Sequence, residues 1–172
     1  CAELKFQTKY IKMKNLILSI TALFITLSVS SQTIVDAAAS NKDFSTLVTA
    51  LKAADLVGAL SGEGPFTVFA PNNDAFGKID SETLGSLLKP ENVEALSNIL
   101  TYHVVSGKLM ASDVTKALKD GYGRVKLTAL NGQTFVARSK GGKIFLKDQN
   151  GDMSEVIATD VVGTNGVIHV ID

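Results

Sequence analysis

The hydrophobic period of this chain changes near Gly121, and that change decides the class of fold. Before it, apolar residues recur at helical spacing: Phe44, Leu47, Val48 and Leu51 stand at i, i+3, i+4 and i+7. This predicts helix from Thr33 to Leu60, ended by Gly58 and "SGEG". A second helical stretch is predicted from Ser81 to about Leu100, with Val93, Leu96 and Leu100 on one face and Pro90 in a first turn. Ser112 or Asp113 can cap a third helix through Leu118. After Gly121 the pattern alternates through "RVKLTAL", "QTFVARS", "KIFLKD" and "EVIATD", which predicts a strand meander. Asn131-Gly132 would supply both positive-φ residues of a tight hairpin, and Thr164-Asn165-Gly166 a second turn. Helices first and strands later, with one strand, "FTVFA", in the helical half, argue for an α+β domain.

That early strand runs into "TVFAPNNDAF", Thr67 to Phe76. Pro71 has no amide hydrogen to extend a central ladder, so the strand must stop there. Asn72 can then cap a helix, Asn73 follows it, Asp74 sits near the positive end of the helix dipole, and Phe76 returns to the core. The polar cluster reads as a strand-to-helix corner, made of the residue types that a binding site would also use.

The front of the chain has its own logic. Met13-Lys14-Asn15 precedes the uncharged run "LILSITALFITLSV", Leu16 to Val29, and then "SSQT". The run is shorter than the ~20 residues of a bilayer-spanning helix and is followed by small residues, as in a signal peptide cut near Ser31/Gln32. The expected organisation is an upstream extension over 1–12, a signal peptide over 13–31 and one domain over 32–172. The only cysteine, Cys1, falls in the extension, so the exported body has no thiol and must be held by packing. The 17 cations and 17 acids balance overall; Lys5, Lys9, Lys12, Lys14 and Glu3 precede Gln32, leaving 13 cations against 16 acids in the domain. With lysines scattered among carboxylates, no basic stripe is expected, and nucleic acid is not the expected partner.

Three segments, "TVFAPNNDAF", "ILTYHVVSGKL" from Ile99 to Leu109 and "TNGVIHVID" from Thr164 to Asp172, stand in the order and approximate spacing of the fasciclin domain. The chain resembles that family over essentially all of Thr33 to Asp172. The resemblance implies an extracellular adhesion module with a wedge of β-strands and a helical cap. It marks Asn72, Asn73, Asp74, Tyr102, His103, Asn165, Gly166 and His169 as structural motif residues. Family sequences run a few apolar residues past "GVIHVID", which implies a truncated C-terminus or a short closing strand. An aspartate-isoleucine pair implicated in integrin binding in animal members corresponds here to Asp160-Val161, with valine in place of isoleucine.

Catalytic machinery is not legible. There is no G-x-S-x-G elbow and no H-E-x-x-H pair. His103 and His169 sit in apolar, strand-like contexts, and a hydrolytic role beside Asp74 or Asp160 would need convergence in space. "DQNGDMSE", Asp148 to Glu155, resembles a calcium loop only faintly, with glycine and glutamate out of position, and reads as a β-turn. "GYG" at Gly121 to Gly123 reads as a bend. His103 is expected to be buried on a strand, neutral, and to pin one motif to another.

The expectation is a secreted, periplasmic or cell-surface module, acting as a monomer without cofactor or metal and without a membrane span once its signal is cut. It would bind a cell-surface protein or an extracellular polysaccharide. The competing reading is an extracellular hydrolase of polymer esters or glycans, which requires a pocket joining a histidine, a carboxylate and a hydroxyl.

Overall fold

The computed structural model describes residues 32–172. The expected extension and signal peptide lie outside the described residues. Thr33 opens the fold with a reciprocal cap: its hydroxyl accepts the Asp36 amide at 3.2 Å, and the Asp36 carboxylate accepts the Thr33 amide at 3.0 Å. The Thr33 hydroxyl also donates to the Asp36 carboxylate at 2.8 Å, and this bond first, then the one from the Thr33 amide, holds the carboxyl below its ordinary pKa.

The helix expected from Thr33 to Leu60 is three helices: α1 (Ile34–Ser40), α2 (Ser45–Ala53) and α3 (Val57–Ser61). Asn41 ends α1 and accepts the Asp43 amide at 3.0 Å to start a 3-10 turn, and Asp55 breaks the chain again at φ 54°. Gly58 lies inside α3, which stops at Gly62 instead. The second expected helix is likewise divided. After α4 (Asn73–Gly77) come α5 (Ser81–Leu87) and α6 (Val93–Tyr102), with Pro90 opening a 3-10 turn between them. The third helix, α7 (Ala111–Asp120), starts before the expected caps; Asp113 accepts the Met110 amide from inside the first turn.

Seven strands form one sheet: β1 (Phe66–Pro71), β2 (Val104–Ser106), β3 (Arg124–Thr128), β4 (Thr134–Lys140), β5 (Lys143–Lys147), β6 (Met153–Gly163) and β7 (Gly166–Ile171). Their order is β2-β1-β7-β6-β5-β4-β3, with β1 and β7 parallel and every other pair antiparallel. A bridge between Val105 and Ala129, and a bond from the Leu130 amide to the Val104 carbonyl at 2.8 Å, bring the two ends together. The sheet is thereby curled toward a barrel, and the α+β expectation holds.

Turn chemistry differs from the reading of the sequence. At Asn131-Gly132 only Gly132 takes positive φ, 82°, because the Asn131 side chain accepts the Gln133 amide and donates to the Asn98 carbonyl and side chain. The tight hairpin with two positive-φ residues is at Gly141-Gly142, φ 60° and 79°, between the paired Lys140 and Lys143. At the bend after α7 the chain puts Tyr122 in the left-handed region, φ 53°, a conformation that costs a non-glycine residue about 1–2 kcal/mol. Its side chain is 95% exposed.

Apolar residues segregate to the two faces of the β1–β7 wall. Val68, Ala70, Ile168 and Val170 face the helical core with Phe44, Leu47, Leu51, Leu96 and Leu100. Phe69, Val105 and Ile171 face the second core with Val114, Leu118, Phe135, Ala137 and Leu146. Alternation puts the other side chains of β3, β4 and β5 outside: Arg124 and Lys126, Arg138 and Lys140, Lys143, Phe145 and Lys147.

Candidate functional site

The corner after β1 is built as a junction of three segments. Asn72 caps α4 by accepting the Ala75 amide at 2.8 Å, and its own amide donates to the Ile171 carbonyl. Asn73 reaches back to the start of α2, accepting the Thr46 amide at 3.1 Å and donating to the Lys42 carbonyl at 2.9 Å. It thus supplies, from a distant segment, a cap that α2 has no residue of its own to provide. Asp74 lies exposed in the first turn of α4, and Phe76 packs against the helical core.

A continuous chain of hydrogen bonds joins the three motif segments. Thr67, fully buried, donates its hydroxyl to the Gly107 carbonyl at 2.7 Å and accepts the Leu109 amide at 2.9 Å. His169, 1% exposed, has Nε2 at 2.7 Å from the Leu109 carbonyl, so Nε2–H is the donor and Nδ1 is left to accept the Asp160 amide at 3.4 Å. The Asp160 carboxylate in turn accepts the amide of Ala111, the first residue of α7, at 2.9 Å. Asn165 completes the network beside Gly166: it accepts the Ile34 amide and donates to the Leu60 and Gly62 carbonyls, at 3.0, 2.7 and 3.0 Å. A Cβ on Gly166 would stand 2.2 Å from the Phe66 carbonyl oxygen, so this glycine is what lets β7 lie against β1.

His103 does not have the expected role. Helix α6 continues through Tyr102, so His103 caps its C-terminus and the strand begins only at Val104. Its Nδ1 bonds the Ile99 carbonyl at 2.8 Å, one turn back in the same helix; the bond to a second segment is made by its backbone carbonyl, which accepts the Phe69 amide, and not by its ring. Burial holds its imidazole below the ordinary histidine pKa, opposed by the bond to Ile99. The inter-segment pin is His169. Thr67, which does the companion work, was missed because a threonine within an apolar strand gives no signal of a partner on another segment.

Asp160 and Val161 lie where β6 slips its register against β7, between Ala158 and Val161. Asp160 takes φ 61° there and is exposed despite its bond to α7; Val161 turns partly into the helical core. Ile157 and Val162 stand outside, 49% and 53% exposed. The pair is therefore a fixed surface point, held by α7 and His169 together.

The grouping needed for hydrolysis is present in kind but not in scale. Tyr102, His103 and Asp148 line one cavity, walled by Phe69, Phe135 and Leu146, of about 40 Å³. One water needs about 10–15 Å³ of such space, so the cavity has room for a few waters and not for a sugar ring. Desolvation, and then the Asp148 charge, push the Tyr102 phenol above its ordinary pKa, which makes it a poorer nucleophile. The loop from Asp148 is a turn: one carboxylate oxygen accepts the Gly151 and Asp152 amides at 2.7 and 2.8 Å.

The expectation of scattered lysines is corrected by the sheet. Six cations and no acid occur between Gly121 and Lys147, and strand alternation gathers all six on one face. Among the described residues only Lys143 of this set meets a carboxylate, that of Glu155 at 2.7 Å. Arg124 is paired with Arg138, and Lys140 with Lys143, directly across the ladder.

Comparison with known proteins places these features in a family. The fasciclin domain model matches residues 42–172. Protein sll1483 of Synechocystis is 50% identical over 143 residues, covering 83% of this chain and 72% of that protein. Human periostin is 36% identical over 136 residues, 77% of this chain but 14% of periostin. A solved FAS1 domain pair from the insect cell adhesion molecule fasciclin I superposes with a TM-score of 0.72 at 21% identity, over 82% of this chain and 49% of that one.

Proposed function

The chain belongs to the fasciclin domain family, and from that premise we propose that it is a secreted or cell-surface adhesion module that binds an envelope protein or an extracellular polymer. One observation carries the reading. The polar side chains of the three motifs, Asn72, Asn73, Thr67, Asn165 and His169, are occupied by bonds within the fold. Among the described residues they leave no convergent reactive group, and the cavity that joins a histidine to a carboxylate and a hydroxyl is too small for a polymer ester or glycan. Binding must then use the outer surface, where no cofactor is required. Export fits this role, and so does the 16 to 13 excess of acids over cations in the domain, which favours solubility without a membrane span. Among the described residues no helix is long and apolar enough to cross a membrane.

The test is capture of envelope proteins and surface polysaccharides on the immobilised chain, beside a turnover assay on ester and glycan substrates. Capture without turnover supports the module. Turnover that disappears in His103→Gln while the variant's denaturation midpoint is unchanged would replace it with the hydrolase. Export is checked separately by sequencing the N-terminus of the mature protein, expected near Gln32.

A further inference from the structure

We infer that the outer face of β3, β4 and β5 is a binding surface for a linear polyuronate, a polysaccharide carrying about one carboxylate per sugar ring. The inference rests on the adhesion-module reading and names its ligand and its face. Arg124, Lys126, Arg138, Lys140, Lys143 and Lys147 all project from this side, and acids are absent from Gly121 to Lys147 although the domain as a whole has more acids than cations. Such segregation is unfavourable for the isolated fold. The pairing of Arg124 with Arg138 and of Lys140 with Lys143 sets like charges opposite each other, which destabilises a sheet unless an anion lies between them. Within the described residues only one carboxylate, Glu155, answers this charge.

Shape and spacing select the polymer. Cations two residues apart on a strand are roughly 7 Å apart, and neighbouring strands are about 5 Å apart. This spacing suits a chain that carries about one charge per sugar ring. The arginines can each hold a carboxylate with two parallel N–H bonds. At one end of the face a groove of about 420 Å³ is lined by Tyr122, Arg124, Arg138, Lys140 and Met153. Tyr122 stands almost wholly in solvent on a backbone that disfavours any side chain, and this is the placement of a ring kept for stacking on a flat partner such as a sugar. A single-stranded nucleic acid would call for a row of such rings along the groove. A lipid surface would call for an apolar belt, whereas the one apolar ring at the middle of this face, Phe145, is half-buried among cations.

Titration of the full chain with polygalacturonate, with dextran as the uncharged control, tests the proposal. Polygalacturonate should bind, dextran should not, and the affinity should fall as salt rises. Arg138→Ser combined with Lys140→Ser should weaken binding at least tenfold and flatten the salt dependence. Tyr122→Gly should weaken it several-fold while the denaturation midpoint holds or rises, which separates recognition from folding. Lys52→Ser, on helix α2, should change nothing. Absence of polygalacturonate binding, an equal loss in Lys52→Ser, or tighter binding to poly(dT) or to phosphatidylglycerol vesicles would overturn the inference. Failure here with envelope proteins still captured leaves the adhesion module standing, whereas turnover of a substrate overturns the module itself.

Discussion

The two histidines share an apolar context in sequence and have opposite duties in the fold. His169→Ala removes a buried ring packed 5.5 Å from Phe69 and leaves the Leu109 carbonyl without its donor. We expect a loss of about 3–5 kcal/mol, the range for a large buried side chain, measured by urea denaturation. His103 acts through its proton. Its folded pKa lies below the unfolded value of about 6.5, so as pH falls from about 6.5 toward the folded pKa the unfolded chain takes up a proton that the fold refuses. Stability should therefore decline with acid across that window, by no more than about 1.4 kcal/mol per pH unit for one proton, and the loss should level off below the folded pKa. Denaturation of wild type and His103→Gln at pH 7 and pH 5 checks this: the wild type should lose more, and equal losses would assign the acid sensitivity elsewhere. Which histidine pins the motifs was not legible, because the deciding partner of His169, Leu109, is 60 residues away in sequence.

At the scale of elements, the β6 irregularity and helix α7 depend on one carboxylate. Asp160 accepts the first amide of α7, and its residue type tolerates the left-handed backbone of the register slip. Asp160→Ala loses both advantages and should cost about 1–2 kcal/mol. Asp160→Asn keeps the acceptor and the backbone tolerance and should cost well under half as much, read from the shift in urea midpoint. If Asp160→Asn keeps its midpoint and still loses partner capture, the aspartate touches the partner directly. Period alone placed most elements, since helical spacing and alternation report burial on one face. It missed the breaks at Asn41 and Asp55, where a single side-chain bond or a single positive φ ends a helix without disturbing the apolar rhythm. It also assigned the tight hairpin to Asn131-Gly132, since Gly141-Gly142 carries the same signal and only the Asn131 bonds to Asn98 distinguish them.

For the whole molecule, the β1–β7 wall has a core on each side, so neither core can be lost alone. Phe69→Ala opens the second core beside Phe135, whose ring is 5.5 Å away at 88°. We expect a loss of about 3–5 kcal/mol. The helical far-ultraviolet dichroism and the fluorescence of Tyr102, packed against Phe135, should still fall in a single coincident transition. Separated transitions would mean that the two cores unfold independently. The parallel β1–β7 pairing and the ring closure were not legible, because local periodicity carries no information about which distant strands meet. The cationic face was half legible: the run without acids is visible in the sequence, but only register shows that its charges share a side. The closure at Val105 and Ala129 has a further consequence, for crowding. An open seven-stranded sheet would expose two long rows of unpaired amides and carbonyls, each a template for another copy. Here one rim is only three residues long, its neighbour carries Arg124 and Lys126, and the two meet. Many copies of this domain can therefore be concentrated side by side without seeding fibrils from one another.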